Sequence, residues 1–350
     1  MNVDNTRIKN RKKRSRRKVF RTIFIFITLC FLVIGGAIFY SAVKLNSAIT
    51  GAAEPELDRG DKSEMRTEAV NPSKDNFSVL LLGDDSRPGE SRARTDAMIV
   101  ATFNKDDKSI ILTSIPRDTR VEMVGLGYQD KINHAHARGG LNMTINTVEN
   151  FLDIPIDYYG YVRFDGLVQV VDALGGIEVD VPFDFTFNEV STDSYNLQFF
   201  EGPQVLNGKE ALAFARMRKE DPRGDFGRGE RQQQVIEGII KQAASFSTLT
   251  RFDDLIDTLG DNLGTNLSFA NLVALHRYAG SLNDIEKHQV KGDDIRINGV
   301  FYIEPNQLYV TDLQTRLKQH LEIDGHSTND PNPFADDEVE QSESTDTGTY

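Results

Sequence analysis

From Thr22 to Val43 the chain reads TIFIFITLCFLVIGGAIFYSAV, 22 residues without a charge. As a helix this run rises roughly 33 Å, which matches the hydrocarbon thickness of a bilayer. It divides the chain into a short leading arm, a membrane span and a long body. The arm, residues 1 to 21, carries ten Lys and Arg against Asp4 alone, and after the run only Lys44 precedes acidic sequence. That asymmetry puts the N-terminus in the cytoplasm and the body outside the cell. A cleaved signal peptide is the rival reading, with Gly51, Ala52 and Ala53 as a candidate cleavage site. The run is longer than a secretory apolar region, so an uncleaved signal-anchor is expected. The basic residues of the arm read as an orientation signal in contact with anionic lipid, not as a nucleic-acid patch.

The formal net charge of -13, with +9 in the arm, leaves about -22 for everything that follows. A nucleic-acid partner for the body is disfavoured on that balance. Cys30, the only cysteine, lies within the apolar run, so the body has no disulfide and relies on core packing.

Residues 44 to 74 are small, polar and charged and read as an extracytoplasmic stalk. From Gln319 to Tyr350 there are nine acids and no Lys or Arg, and residues 325 to 350 are expected to form an acidic disordered tail. Between them, residues 75 to 324 alternate short apolar runs with helical periodicity, the pattern of an α/β domain with helices on a sheet. FSVLLLG (Phe77–Gly83), AMIVATF (Ala97–Phe103) and SIILTSI (Ser109–Ile115) are strand-like, with NKDDK turning between the last two. Paired up, down and up, they bring Asp84, Asp85, Arg94, Asp96 and Arg117 to one sheet edge.

Further helices are expected over Gly139–Leu152, from Asp165 to a stop at Gly175 and Gly176, over Gly208–Ala215 and over Arg231–Phe246. Strands are expected at Tyr158–Phe164 and at IEVDVP, which Pro182 ends or places at an edge. Helical stretches at Thr250–Asp261 and Ser268–Gly280, a strand pair around HQVKG and GVFYIEP, and a helix from Asn306 complete the domain.

The segment ARMRKEDPRGDFGRGERQ holds six cations. Arg216 and Arg218 point the same way only if the backbone there is extended. Arg228, Arg231 and Gln232 fall at i, i+3 and i+4 on the first turn of a helix, where free N–H groups and guanidinium forks suit an anion such as phosphate. Equally open is a solvated network in which these arginines pair with Glu220, Asp221, Asp225 and Glu230. Asp85 and Asp96 suit Mg²⁺, which takes few carboxylates together with water and substrate phosphates; carboxylates beside arginines point to a diphosphate with a bridging metal. By itself the Asp-Asp pair has a loop-capping or salt-bridge role as its default. His134 and His136 have HxH spacing, but no third ligand is near, and a structural role is favoured. No GxGxxG, Walker or GxSxG pattern is present.

Taken in order, LLLGDDSR, RTDAMIV, SIPRDTRV, KINHAHARGG, VDALGGIEVDVP, LNGKEALAFARMR and GDFGRGERQQQVI closely resemble the signature of the LytR-CpsA-Psr family, over about Phe77 to Ile240. The resemblance implies a central mixed β-sheet flanked by helices on both faces, behind one N-terminal transmembrane helix, with an apolar pocket for a prenyl chain. It implies a phosphotransferase that moves an anionic glycopolymer such as teichoic acid from undecaprenyl diphosphate to the muramic acid 6-hydroxyl of peptidoglycan. The alternatives are a hydrolase of the same lipid and a noncatalytic lipid-binding scaffold. By motif, Asp85 and Asp96 position Mg²⁺, and Arg94, Arg117, Arg216, Arg218, Arg228 and Gln232 surround the diphosphate. Asp85, Arg94, Arg117, Arg216 and Arg218 are the expected catalytic set. Apolar segments such as LVQVVDAL are read as core.

Overall fold

The computed structural model describes residues 57–84, 95–189, 195–243, 262–275, 277–278 and 285–335. The apolar run at 22–43, the helical stretch expected at 250–261, and both Asp85 and Arg94 lie outside the described residues. Among those described, no helix is long and apolar enough to cross a membrane.

In chain order the strands are β1 (Phe77–Asp84), β2 (Thr95–Asn104), β3 (Ser109–Ser114), β4 (Arg120–Glu122), β5 (Gln129–Lys131), β6 (Tyr158–Arg163), β7 (Ile177–Val181), β8 (Phe185–Glu189), β9 (Tyr195–Phe199), β10 (Gly202–Leu206), β11 (Leu263–Thr265), β12 (Glu286–Gln289), β13 (Gly292–Ile297) and β14 (Val300–Pro305). The helices are α1 (His134–Leu152), α2 (Phe164–Ala173), α3 (Gly208–Arg216), α4 (Asp225–Ala243), α5 (Phe269–Leu275) and α6 (Gln307–Leu321).

The central sheet has the order β11-β6-β1-β2-β3-β12. The β1–β2–β3 meander is antiparallel, while β6 runs parallel to β1 and β12 parallel to β3, so the sheet is mixed. Side chains alternate across the pleat. Leu80, Leu82, Met98, Val100 and Ile111 pack with α1 and α6 on one face. Val79, Ile99, Ala101 and Leu112 pack with Ile236 and Ile240 of α4 on the other. The near-continuous apolar runs follow from that coverage, since a strand buried on both faces has no polar side. A satellite core joins β7, β8 and β9 to α3 through Val179, Phe185, Phe199 and Phe214.

Several expectations change. HQVKG and GVFYIEP do not pair with each other: β12 extends the main sheet beside β3, and β14 pairs with β13, GDDIRI. The KINHAHARGG block is already helical from His134, with a break at Gly139 and Gly140. Residues expected as stalk are docked from Leu57 onward. Arg59 bonds the buried Glu149 at 2.7 Å, Arg66 forks onto Asp157 at 2.8 and 3.0 Å, and Leu57 enters the main core. At the other end, Phe334 is also in that core, its ring tilted against His288 with centroids 4.6 Å apart, so packed chain continues into the segment read as tail. A few apolar or buried charged anchors override a polar average.

Candidate active site

The parallel pairing of β1 with β6 and the antiparallel pairing with β2 place Asp84 opposite both Arg163 and Thr95. This is the edge where the meander argument put its charges. Arg117, just past β3, donates from Nη1 to Asp96 Oδ1 at 2.6 Å and lies 3.6 Å from Asp118. Burial works against the Arg117 charge, but the hydrogen bond and charge of Asp96 outweigh it and raise the guanidinium pKa above its ordinary value.

Beneath this edge a cavity of about 280 Å³ opens between the sheet and α2, α3 and α4. Its interior is apolar, lined by Leu81, Ile99 and Val162 of the sheet, Leu167 and Val170 of α2, Leu212 of α3, and Val235, Ile236 and Ile239 of α4. LVQVVDAL, expected only as core, therefore has two jobs: Val171 is buried in the satellite core while Leu167 and Val170 line the cavity. The polar groups in the wall are Asp96, Arg163, Arg216, Arg228 and Gln232. A mostly apolar pocket with a few convergent polar groups is the usual build of a ligand site, and here the polar set is mainly cationic.

The helices are set by local signals. Asn207 caps α3 in a reciprocal box with Glu210, at 3.0 and 2.9 Å. A Cβ on Gly208 would meet Val168 O at 2.2 Å, so the close approach of α2 and α3 depends on glycine there. Arg216 is the last residue of α3; Met217 then turns extended and buries its side chain. Arg216 reaches the cavity, whereas Arg218, half exposed, pairs with Asp225 at 2.8 Å and is not part of the lining.

On α4 the two readings of the arginine cluster divide by face. Arg228 and Gln232 line the cavity. Arg228 is 3.2 Å from Asp225. Its pKa is lowered, first by burial and also by the nearby Arg117 and Arg218 charges, against the partial help of Asp225 and Asp96. The guanidinium remains charged at neutral pH, so a buried cation among cations is a strong attractor for an anion. Arg231 points the other way: it is 1% exposed, holds Asp221, and donates to the carbonyls of Phe214, at 3.1 Å, and Met217. Arg223, partly exposed, reaches both the buried Asp221 and the exposed Glu230.

His134 accepts the structural role expected of it, with Nδ1 2.9 Å from Asp130, and His136 stacks on Tyr161 with ring centroids 5.7 Å apart. Among the described residues no three His, Cys, Asp or Glu gather into a metal site. Asp96 does fit one position in the coordination of a hard divalent cation. Its Oδ1 is engaged by Arg117, while Oδ2 has no hydrogen bond among the described residues. Mg²⁺ is commonly held by one or two carboxylates plus phosphate and water.

Arg163 and Phe164 were missed from the sequence. The available signal was the YYGYVRF strand: had its parallel pairing with β1 been inferred, its C-terminal end would have been placed at the same edge.

The LytR_cpsA_psr family matches residues 40–319 of this chain. The polyisoprenyl-teichoic acid–peptidoglycan teichoic acid transferase TagU of Halalkalibacterium halodurans is 46% identical over 300 residues, covering 85% of this chain and 95% of that protein. A solved structure of TagT bound to LIIa-WTA is 36% identical, with a TM-score of 0.65 over 77% of this chain and all of that one. The LytR-CPS2A-psr family protein YwtF (TagT) with bound octaprenyl pyrophosphate lipid is 33% identical, with a TM-score of 0.61 over the same shares.

Proposed function

This chain belongs to the LytR-CpsA-Psr family, and from that premise we propose that it transfers an anionic glycopolymer of the teichoic acid class from a polyprenyl-diphosphate carrier to peptidoglycan. The observation that carries the reading is an apolar cavity whose wall carries Arg163, Arg216, Arg228 and Gln232 together with Asp96, which is paired to Arg117. The chemistry of that donor, hydrocarbon joined to diphosphate, matches an apolar cavity joined to guanidinium forks. The teichoic acid transferases it resembles, and the relative holding octaprenyl pyrophosphate, support the same assignment.

In the proposed reaction an acceptor hydroxyl, taken to be the muramic acid 6-hydroxyl, attacks the sugar-bearing phosphorus. The bond from that phosphorus to the bridging oxygen breaks, polyprenyl phosphate leaves with the electron pair, and the hydroxyl proton is released. Arg216 and Arg228 hold the phosphates and offset the charge that grows on the leaving oxygen; Gln232 adds a neutral donor. Arg117 is held in place by Asp96. A divalent cation held by Asp96 with Asp85 would add charge compensation at the leaving phosphate. Arg94 is proposed to join the phosphate contacts, and Arg218 acts from outside the cavity, through Asp225. The uncharged run behind a basic arm supports an anchored protein working at the outer face of the cell membrane.

Reconstitution tests this. Purified full-length protein, a synthetic polyprenyl-diphosphate glycan and peptidoglycan oligomers should give a covalent phosphodiester product detected by mass. Arg216→Ala or Arg228→Ala should lower its rate about 100-fold or more. Release of free phosphorylated glycan without attachment would favour the hydrolase instead, and binding without turnover would favour the scaffold.

A further inference from the structure

The cavity lies on one face of the central sheet, where Leu81 and Ile99 line it. On the other face, Val121, Met123 and Ile132 seat the β4–β5 hairpin in the core that holds Leu82 and Met98. The two regions meet at the edge where Asp96 pairs with Arg117. Arg117 leads from β3 toward this hairpin, and its carbonyl accepts from Asn133 N at 3.3 Å. From there charged groups continue outward. Asp118 Oδ2 is 3.6 Å from Arg117, and Asp118 Oδ1 accepts from Lys131 at 2.6 Å. The neighbouring Asp130 is buried and accepts from Arg138 at 2.7 Å; the guanidinium carbon of Arg138 lies over the Tyr128 ring, 5.5 Å from its centroid. Tyr128 is 42% exposed and the Arg138 side chain 45%. A ring fixed by a cation that is itself fixed by a buried carboxylate is pre-organised, because it loses little freedom on meeting a ligand.

We propose that this hairpin surface binds the acceptor, a glycan strand of peptidoglycan, with a sugar ring packed on Tyr128 beside Arg138. The proposal rests on the reading of this chain as a transferase to peptidoglycan. The chemistry sets the side of approach. In phosphoryl transfer the attacking and leaving oxygens stand roughly in line across phosphorus, so a hydroxyl that displaces polyprenyl phosphate into the cavity arrives from the side away from it. The hairpin holds that side: it is on the far face of the sheet and begins just after Arg117. Its charges also suit a sugar better than a second phosphate, since Lys131, Arg138 and Arg120 each have a carboxylate partner, in Asp118, Asp130 and Glu304. The apolar face of a pyranose packs on an aromatic ring, and its hydroxyls meet the polar groups around it. Tyr128 is three residues from Lys131, roughly 10 Å of extended chain, so it meets a sugar beyond the reacting one.

The test uses full-length protein, a synthetic polyprenyl-diphosphate glycan, and uncrosslinked peptidoglycan acceptors of one or several disaccharides. Tyr128→Ala should raise KM for the longer acceptors about tenfold, while KM for the single disaccharide and affinity for polyprenyl diphosphate stay within about twofold. Tyr128→Phe should restore the wild-type KM. The proposal is overturned if the alanine variant matches wild type on long acceptors, if long and short acceptors suffer alike, if donor affinity falls with them, or if phenylalanine does not restore the constant. Wild-type protein that binds the donor lipid yet forms no covalent product with any acceptor overturns the transferase reading itself, and the acceptor surface with it.

Discussion

Arg228 and Arg231 stand three residues apart on α4 and have opposite surroundings. Arg231 is sealed at 1% exposure with Asp221 as its counter-charge and two backbone carbonyls filling its fork. Arg228 faces the cavity near other cations, with burial lowering its pKa. The chain makes the first arrangement possible with a glycine: a Cβ on Gly227 would fall 1.7 Å from Asp221 Oδ2. A buried ion pair complete with hydrogen bonds serves the fold, because its charge is already answered inside the protein. A buried guanidinium that shares its carboxylate, Asp225, with Arg218 serves binding, because further negative charge can come from a ligand.

The sharpest way to break this contrast is Arg231→Ala. It leaves the buried Asp221 with only the partly exposed Arg223, 3.5 Å away, and should cost about 3–5 kcal/mol of unfolding free energy, read by denaturant titration. Arg228→Ala, in the same assay, should stay within about 1 kcal/mol of wild type, so that its loss of transfer is not a loss of fold.

A smaller effect concerns a region distant from the cavity mouth in sequence. Glu286 accepts from Arg316 at 2.6 and 3.0 Å and contacts His288 at 2.6 Å. Burial alone would raise its pKa, but the His288 and Arg316 bonds overcome this and bring it down to about 2. A carboxylate depressed in the fold stabilises the protein above its unfolded pKa and loses that contribution as pH falls through the folded value. On the order of 2–3 kcal/mol should therefore disappear between about pH 5 and pH 2, and Glu286→Gln should flatten that part of the stability profile. Acid unfolding curves of the two proteins check it.

The smallest effect is expected at Arg218. Its side chain is half exposed and paired to Asp225 outside the cavity lining, so Arg218→Ala should reduce transfer less than about tenfold. A loss as large as that of Arg228→Ala would move Arg218 into the clamp and erase the distinction between lining and rim.

Much of this was open to sequence reasoning where physics is local. The β1–β2–β3 meander follows from three apolar runs and a polar turn, and with it the meeting of Asp96 and Arg117. The capped start of α3 follows from Asn207 and Glu210. Spacing placed Arg228, Arg231 and Gln232 on one helical turn and could go no further. Which of them looked into a cavity depended on where the loop from Met217 to Gly224 crossed, and Asp221 is the residue that decided it.

The sequence by itself determined the membrane-run pattern, the alternation of strands and helices, the family signature and the presence of clustered cations beside aspartates. Those properties depend on hydropathy period, turn chemistry and short spacing, which act over a few residues. Only the tertiary structure decided which arginine is sealed and which lines the cavity. Burial and counter-charge are supplied by segments far apart in the chain, and they exist only after those segments have packed.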